Sequence, residues 1–318
     1  MNGAIVRKNR SEFGKNNLSI AGKSLKKNWD LYFLILPVII YFFIFKYIPI
    51  YGVQIAFRDF LSTQGFFGSP WVGLKHFIRF FNSYNCWEII RNTLGISIYQ
   101  TLVGFPMPIL LALMINEVRI KLFKKTIQTV TYIPHFLSTV VVVGMLTTFL
   151  SPQTGMVNHM IAALGGKPVY FMAEPAWFKT LYVFSGIWQN TGWSSIIYMA
   201  TLANIDTEMY EAAIIDGAGR IKRIIYMTVP CLVPTAVILL IMEVGHIMDV
   251  GFEKVFLMQN TLNIGVSEII STYVYTTGIT SSQFSYSAAI GLFNSVVNFI
   301  LLIGVNYISR RLTDTSLW

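Results

Sequence analysis

The chain has 318 residues, is 54% hydrophobic and 12% charged, and carries a formal net charge of +9. Soluble globular domains hold roughly 25% charged residues, so this composition excludes a water-exposed globular domain and leaves a chain built for lipid and for contact between apolar helices. The positive charge falls beside and between the apolar runs, the pattern of membrane topology rather than of a nucleic-acid binder.

Residues 1–30 are polar and basic, with Arg7, Lys8, Arg10, Lys15, Lys23, Lys26 and Lys27. They lack an apolar stretch followed by a small-residue cleavage site, so no cleaved signal peptide is expected and the segment reads as a cytoplasmic tail. A crossing helix needs roughly 20 mostly apolar residues. Six stretches qualify: Leu31–Ile55, Ile89–Ile115, Ile127–Leu150, Phe178–Leu202, Leu232–Gly251 and Phe284–Ile308. Each is expected as one helix, with Pro37, Pro49, Pro106, Pro108 and Pro134 tolerated as kinks. The fold class is therefore an all-α polytopic membrane protein with six transmembrane helices. Lys and Arg placement puts both termini in the cytoplasm, with Arg119, Lys121, Lys124, Lys125, the Arg220 cluster, Arg310 and Arg311 on the inner side. Lys46 and Arg91 sit near outer helix ends, where they can snorkel, and Lys254 at the outer end of the fifth segment. Residues 56–88, with Arg58, Asp59, Trp71 and Trp87, read either as a small ordered cap on the outer face or as an aromatic interface belt.

Polar groups inside the apolar runs are the candidate substrate path, because ionisable groups at membrane depth are costly. In the fourth segment Gln189, Asn190 and Trp193 suit a sugar: a ring can stack on its C–H face and amides can bond its hydroxyls. A packed Trp with satisfied amides reads equally well. On a continuous helix, Glu243, His246, Asp249 and Glu253 of the fifth segment would share a sector of about 120°. That stripe is expected to line the path or to make hydrogen bonds between helices. Asn294 and Asn298 form an i,i+4 pair in the sixth segment. No strongly basic site for an acidic substrate stands out at mid-membrane, which leans toward neutral cargo.

No chemistry of an enzyme is legible. Gly165-Gly166-Lys167-Pro168 is not a phosphate loop, the four histidines show no metal-protease pairing, and no Gly-x-Ser-Gly nucleophile string is present. Cys86 and Cys231 are too far apart in sequence to form a metal or redox motif. Any ATP that drives the protein must be bound elsewhere.

Between the fourth and fifth segments lies Glu211-Ala212-Ala213-Ile214-Ile215-Asp216-Gly217-Ala218-Gly219, followed by Pro230. It reads as a short helix capped by Asp206 or Thr207, a glycine break, and a second short helix stopped by Pro230. The spacing of Glu211, Ala212, Ala213 and Gly217 resembles the EAA loop of bacterial ABC-importer permeases, with Met227 and Val229 where that pattern has Ile and Leu. Phe105-Pro106-Met107-Pro108 through Glu117, Tyr132-Ile133-Pro134-His135-Phe136 and Trp71-Val72-Gly73-Leu74 resemble the LplB-type subfamily of polysaccharide or oligosaccharide permeases. The resemblance implies a type I importer fold over 31–318, with the family core at about 89–309 and the coupling loop at 204–230. It implies that Glu211, Ala212, Ala213, Asp216, Gly217 and Arg220 engage a cytoplasmic ABC ATPase dimer, which would hold ATP and Mg while this chain binds no cofactor or metal. It further implies a second homologous permease subunit, an extracellular solute-binding lipoprotein, an oligosaccharide cargo and a bacterial cytoplasmic-membrane location, with no nucleic acid. A peptide permease, a membrane enzyme and a stand-alone secondary transporter are the competing readings. The identity of the sugar stays open among pectin-derived, alginate-like and neutral oligosaccharides.

Overall fold

The computed structural model describes residues 27–313 and 316–317, so most of the basic tail lies outside the described residues. The regular structure of the described residues is all helical, with one isolated antiparallel bridge, Arg58 to Trp71, in the connecting segments. It divides into two compact units, one ending at Ile55 and one beginning at Ala56.

The first unit is occupied by the helical run α1 (Trp29–Phe57). No side chain from Trp29 through Ile50 is buried. A helix that is apolar on every face suits a lipid solvent. A π-turn over Phe43–Tyr47 precedes Pro49, widening the ladder where the proline ring would crowd the carbonyl four residues back.

The second unit holds α2 (Lys75–Phe81), α3 (Cys86–Asn116), α4 (Lys121–Tyr132), α5 (Thr139–Phe149) and α6 (Pro175–Ala203). It continues with α7 (Thr207–Ile215), α8 (Arg220–Gly245), α9 (Phe252–Met258), α10 (Ile270–Tyr275) and α11 (Phe284–Thr313). Four described helices are long and apolar enough to cross a membrane: α1, α3, α8 and α11. The α4 and α5 pair would make a fifth if it forms one span bent by 99°. At 29 residues α6 is as long, but Gln189, Asn190, Ser194 and Ser195 dilute its apolar character.

Three sequence expectations are corrected. The third segment is not one helix: after α4 a 3-10 turn over Ile133–Phe136 carries Pro134, and Ser138 caps a new helix by accepting from Val141 N. Proline cannot donate to the ladder, and the capping hydroxyl satisfies a donor at the restart. The fifth segment ends at Gly245, and residues 246–251 are not helical. His246, Asp249 and Glu253 therefore do not form one helical stripe with Glu243. Finally, Pro230 stops nothing. A π-turn over Ile224–Thr228 directly precedes it, and α8 runs through to Gly245.

The core is organised along α6. Near its Pro175 end, Phe178, Tyr182 and Val183 pack with Ile96 of α3, Val143 of α5, Val255 and Met258 of α9, and Ile269. Near its other end, Tyr198 and Leu202 pack with Ala112 of α3 and Leu232 of α8. A third cluster joins Phe80 of α2, Ile89 of α3, Ile270 of α10 and Ile290 of α11. Between the first two, α4 lies against α6 so closely that a Cβ at Gly192 would collide with the Thr131 carbonyl. Cys86 and Cys231 are free thiols.

The segment between α1 and α3 is ordered. Phe57 stacks on Trp71 with centroids 5.5 Å apart, and Val72 N–H donates to Phe57 O at 2.8 Å. Asp59 accepts from Lys75 Nζ at 2.6 Å and lies 3.0 Å from His76 Nε2. The Lys75 ammonium, helped by His76, holds the Asp59 carboxyl below its usual range. Phe60 N–H donates to Ser285 Oγ at 2.8 Å, which docks the segment on α11.

Candidate coupling surface and translocation path

The stretch at Glu211 folds as a closed unit. Asp206 caps α7 by accepting from Glu208 N–H at 2.9 Å. Gly217 takes φ +75°, and Gly217 N–H and Ala218 N–H donate to Ile214 O and Ala213 O at 3.0 and 2.9 Å. This is a Schellman ending, which satisfies the last carbonyls and needs a residue free to adopt the left-handed region. Each cap is worth about 1 kcal/mol, so nine residues hold helical shape without a buried face of their own. Two side-chain links fasten the unit. Tyr210 Oη and Thr228 Oγ1 are 2.8 Å apart, which ties α7 to α8. The Arg220 guanidinium pairs with the Glu117 carboxylate and donates to Glu117 O at 2.7 Å, tying the start of α8 to the end of α3. What remains free is apolar: Ile214 and Ile215 are 55% and 86% exposed, and Ile221 and Tyr226 also stand clear. Glu211, Ala212, Asp216 and Gly217 are exposed around them. Backbone geometry fixes this surface, and its apolar residues face outward.

The candidate path residues gather at two breaks in the helices. At the break between α4 and α5, Gln189 Nε2 donates to Leu137 O at 2.9 Å, a carbonyl that the interrupted ladder leaves open. Asn190 Oδ1 meets His135 Nδ1 at 3.0 Å. The His135 and Trp193 rings stack with centroids 4.7 Å apart and planes 4° from parallel. His135 joins the candidate path here without having been named for it from the sequence, where its signals are its place after Pro134 and within the Tyr132–Phe136 string that carries the family resemblance. The break between α8 and α9 brings three predicted residues together. His246 Nδ1 lies 3.2 Å from Asp249 Oδ2, and Asn294 Nδ2 donates to Asp249 Oδ1 at 2.7 Å. Met248 N–H donates to Asn298 Oδ1 at 3.0 Å, so α11 holds this loop twice. The Asn294 carbonyl oxygen is shielded and has no partner among the described residues. Glu243 remains on α8 with an exposed side chain, and only its backbone O meets the trio, accepting from His246 N–H at 3.1 Å.

Broken helices at membrane depth are tolerated where neighbouring groups satisfy the freed backbone, or where a cavity does. Here two such breaks are each pinned by amides from an unbroken helix, α6 and α11. Tyr182 Oη, which accepts from Gly251 N–H at 3.2 Å, places the second break against α6. Along that helix it sits about 12 Å from Asn190. The described residues contain no group of three His, Cys, Asp or Glu placed to hold a metal.

The whole-chain likeness agrees with this arrangement. The chain is 44% identical over 295 residues to Protein LplB of Bacillus subtilis (strain 168), covering 93% of each chain. It is likewise 44% identical over 288 residues to the polygalacturonan/rhamnogalacturonan transport system permease protein YteP of the same organism, covering 91% of this chain and 90% of that one. It superimposes with a TM-score of 0.86 and 42% identity on a chain in a crystal structure of bacterial alginate ABC transporter in complex with alginate pentasaccharide-bound periplasmic protein, covering 93% of this chain and 99% of that one. Such relatives are transport components, not enzymes, and sit in the cell membrane as multi-pass chains. With residues 104–314, from mid-α3 through α11 and including the capped α7 surface, matching the family model, the chain belongs to the binding-protein-dependent transport system inner membrane components.

Proposed function

We propose that this chain is one permease subunit of an ATP-driven importer that carries an oligosaccharide or polysaccharide fragment across the cytoplasmic membrane by alternating access. The observation that carries the proposal is α7: a capped helix with an exposed apolar face, tied at both sides to helices of membrane length. An apolar patch held rigid outside the lipid needs a protein partner. In this reading a cytoplasmic ABC ATPase dimer receives Ile214 and Ile215, with Glu211, Ala212, Ala213, Asp216 and Gly217 around them. That dimer holds ATP and Mg, and Arg220 braces the joint. A second permease subunit completes the path, and an extracellular solute-binding lipoprotein delivers the cargo. The partners and the glycan class are supported by the names of the relatives, which also disfavour a peptide cargo.

The chain crosses six times in this reading, with both termini cytoplasmic. At roughly 1.5 Å per residue, α6 is about 43 Å long, enough for a bilayer. The bent α4 and α5 pair supplies another crossing. The core spans about 89–309 and the coupling loop 204–230, with 1–30 as a tail. Lys121, Lys124 and Lys125, the Arg220 cluster, and Arg310 with Arg311 then lie on one side. Gln189, Asn190, Trp193, Glu243, His246, Asp249 and Asn294 line the route. The stacked rings suit a sugar's C–H face, and the amides of Gln189 and Asn190 beside them suit its hydroxyls.

The test reconstitutes the complex with its ATPase and binding protein and measures uptake and ATP hydrolysis across a panel of glycans and peptides. An oligosaccharide is expected to stimulate both, and stimulation by peptides alone would overturn the cargo reading. Gly217→Val puts a β-branched residue where φ is positive. It is expected to cut uptake by about tenfold, as a cost of 1–2 kcal/mol at the joint implies, with membrane insertion intact. Normal uptake in that variant would remove α7 from the coupling role.

A further inference from the structure

Three cations approach the Pro175 half of α6, and none of them forms an ion pair among the described residues. Lys254, on α9, is only 8% exposed. Its place in the sequence is the outer end of the fifth segment, and in the fold it turns inward against α6. Its ammonium donates to Tyr182 O at 2.9 Å and lies 4.8 Å from the centre of the Tyr182 ring. That carbonyl already accepts from Ser185 Oγ at 3.1 Å, so it is a poor counterpart for a full charge. Lys254 Nζ also reaches across α6 at Gly186, where a Cβ would stand 3.3 Å from it. Lys179 lies one turn nearer Pro175 on the same face of α6, with its ammonium against Gly95 of α3. Arg91 stands one turn from Gly95 on the same face of α3, which brings a third cation to the side of that helix that Lys179 approaches. Glu88, the acid nearest Arg91 in sequence, directs its carboxylate toward Gly265 instead, and Glu253, next to Lys254, is exposed and pairs with none of the three.

A buried ammonium without an anion is costly, and in membrane proteins such groups pair with one another or mark the route of a charged substrate. Lys179, Tyr182, Gly186, Asn190 and Trp193 recur at spacings of three and four and so share one face of α6. That face is about 20 Å long. It has cations at one end and the His135, Asn190 and Trp193 group at the other. The same track thus offers charge to a carboxylate and amides and rings to the body of a sugar.

We propose that Lys254, with Lys179 and Arg91 beside it, forms a carboxylate subsite that selects uronate-bearing oligosaccharides over neutral ones. The proposal rests on the oligosaccharide reading above and names its substrate class. The charge came together only in three dimensions, because these residues stand on three separate segments of the sequence.

The experiment compares uptake of polygalacturonate and alginate fragments with their carboxyl-reduced, neutral counterparts in proteoliposomes holding the whole complex and its binding protein. The wild type is expected to show a KM for at least one acidic fragment about tenfold below that of its neutral counterpart, the scale of one charge-assisted contact. Lys254→Met is expected to raise the acidic KM about tenfold and to leave the neutral KM within about twofold, narrowing the ratio. The binding protein is common to both preparations, so its own preference cancels in the comparison. An unchanged ratio in Lys254→Met would overturn the subsite, and so would a parallel loss for both forms, which marks a purely structural lysine. If Lys254→Met does not assemble, Lys179→Met with Arg91→Met decides in its place, and an unchanged ratio there overturns the proposal. A wild type that imports acidic and neutral forms equally removes the subsite and leaves the sugar reading standing. A wild type that imports neither form of either glycan removes the subsite, and the wider glycan and peptide panel above then decides the cargo reading.

Discussion

Single residues in this chain act mostly by closing what the backbone leaves open. Gln189 and Ser138 serve the break after α4, Asn298 serves the loop after α8, and Gly217 closes α7. Asp59 does the same for the segment before α2, and its charge makes that closure depend on pH. Lys75 first, and then His76, hold its carboxyl below the ordinary value of 3.8. A group whose pKa is depressed on folding contributes stability above its unfolded pKa and loses it as pH falls through the folded one. The clasp is thus complete at neutral pH and opens below about pH 3.8. It is a partly exposed pair, so the contribution is small and screened by salt. The protection factors for amide hydrogen exchange across residues 57–81, which remove the intrinsic pH dependence of exchange, are expected to fall on acidification through that range. Asp59→Asn should abolish the pH step and exchange faster at neutral pH. A step that persists in Asp59→Asn would assign it to another group.

At the scale of elements, what matters is how a short helix outside the lipid is joined to long ones inside it. Two links serve α7, and they differ in kind. Tyr210 and Thr228 share a neutral hydrogen bond. Arg220 and Glu117 share charge, with the guanidinium also on the Glu117 carbonyl that caps α3, where the negative end of a helix favours a cation. Force passed from α7 into α8 therefore also reaches α3. Exposed pairs of this kind contribute about 1 kcal/mol or less to stability, so thermal unfolding should barely move when the pair is broken. Uptake should fall about fivefold in Arg220→Glu and in Glu117→Arg, the change that roughly 1 kcal/mol produces. The double exchange should recover most of it, and a double variant no better than either single would sever this link from the coupling. The outline of α7 was legible in the sequence, because capping chemistry is local, and packing then chose Asp206 over Thr207 for its cap and Gly217 over Gly219 for its ending. The partner of Arg220 was not, since Glu117 lies 103 positions away.

At the scale of the molecule, hydropathy located the long runs and missed their interruptions. A window of apolar residues measures whether a stretch can lie in lipid, not whether its backbone runs straight. Ile127–Leu150 reads as one crossing, yet it bends by 99° at Leu137 and Ser138, just after the turn that carries Pro134. Leu232–Gly251 reads as one helix, yet the helix ends at Gly245, and the loop beyond delivers His246 and Asp249 to Asn294. The candidate residues were thus legible as types, while their grouping depended on breaks that only packing reveals. The same bent pair decides the topology. Between α2 and α7 the chain runs through α3, then α4 with α5, then α6. If each of these three is a crossing, Leu164 returns to the side of Tyr84, and Ile215 lies opposite both. All three positions are well exposed, at 96% for Tyr84, 88% for Leu164 and 86% for Ile215. In a background with Cys86→Ser and Cys231→Ser, Tyr84→Cys and Leu164→Cys are expected to react with a membrane-impermeant maleimide on intact cells. Ile215→Cys should react only once the cells are lysed in detergent. Labelling at Tyr84→Cys but not Leu164→Cys would make the bent pair a re-entrant loop. Labelling at Ile215→Cys on intact cells would place the coupling surface on the wrong face for an ATPase and overturn the six-crossing arrangement.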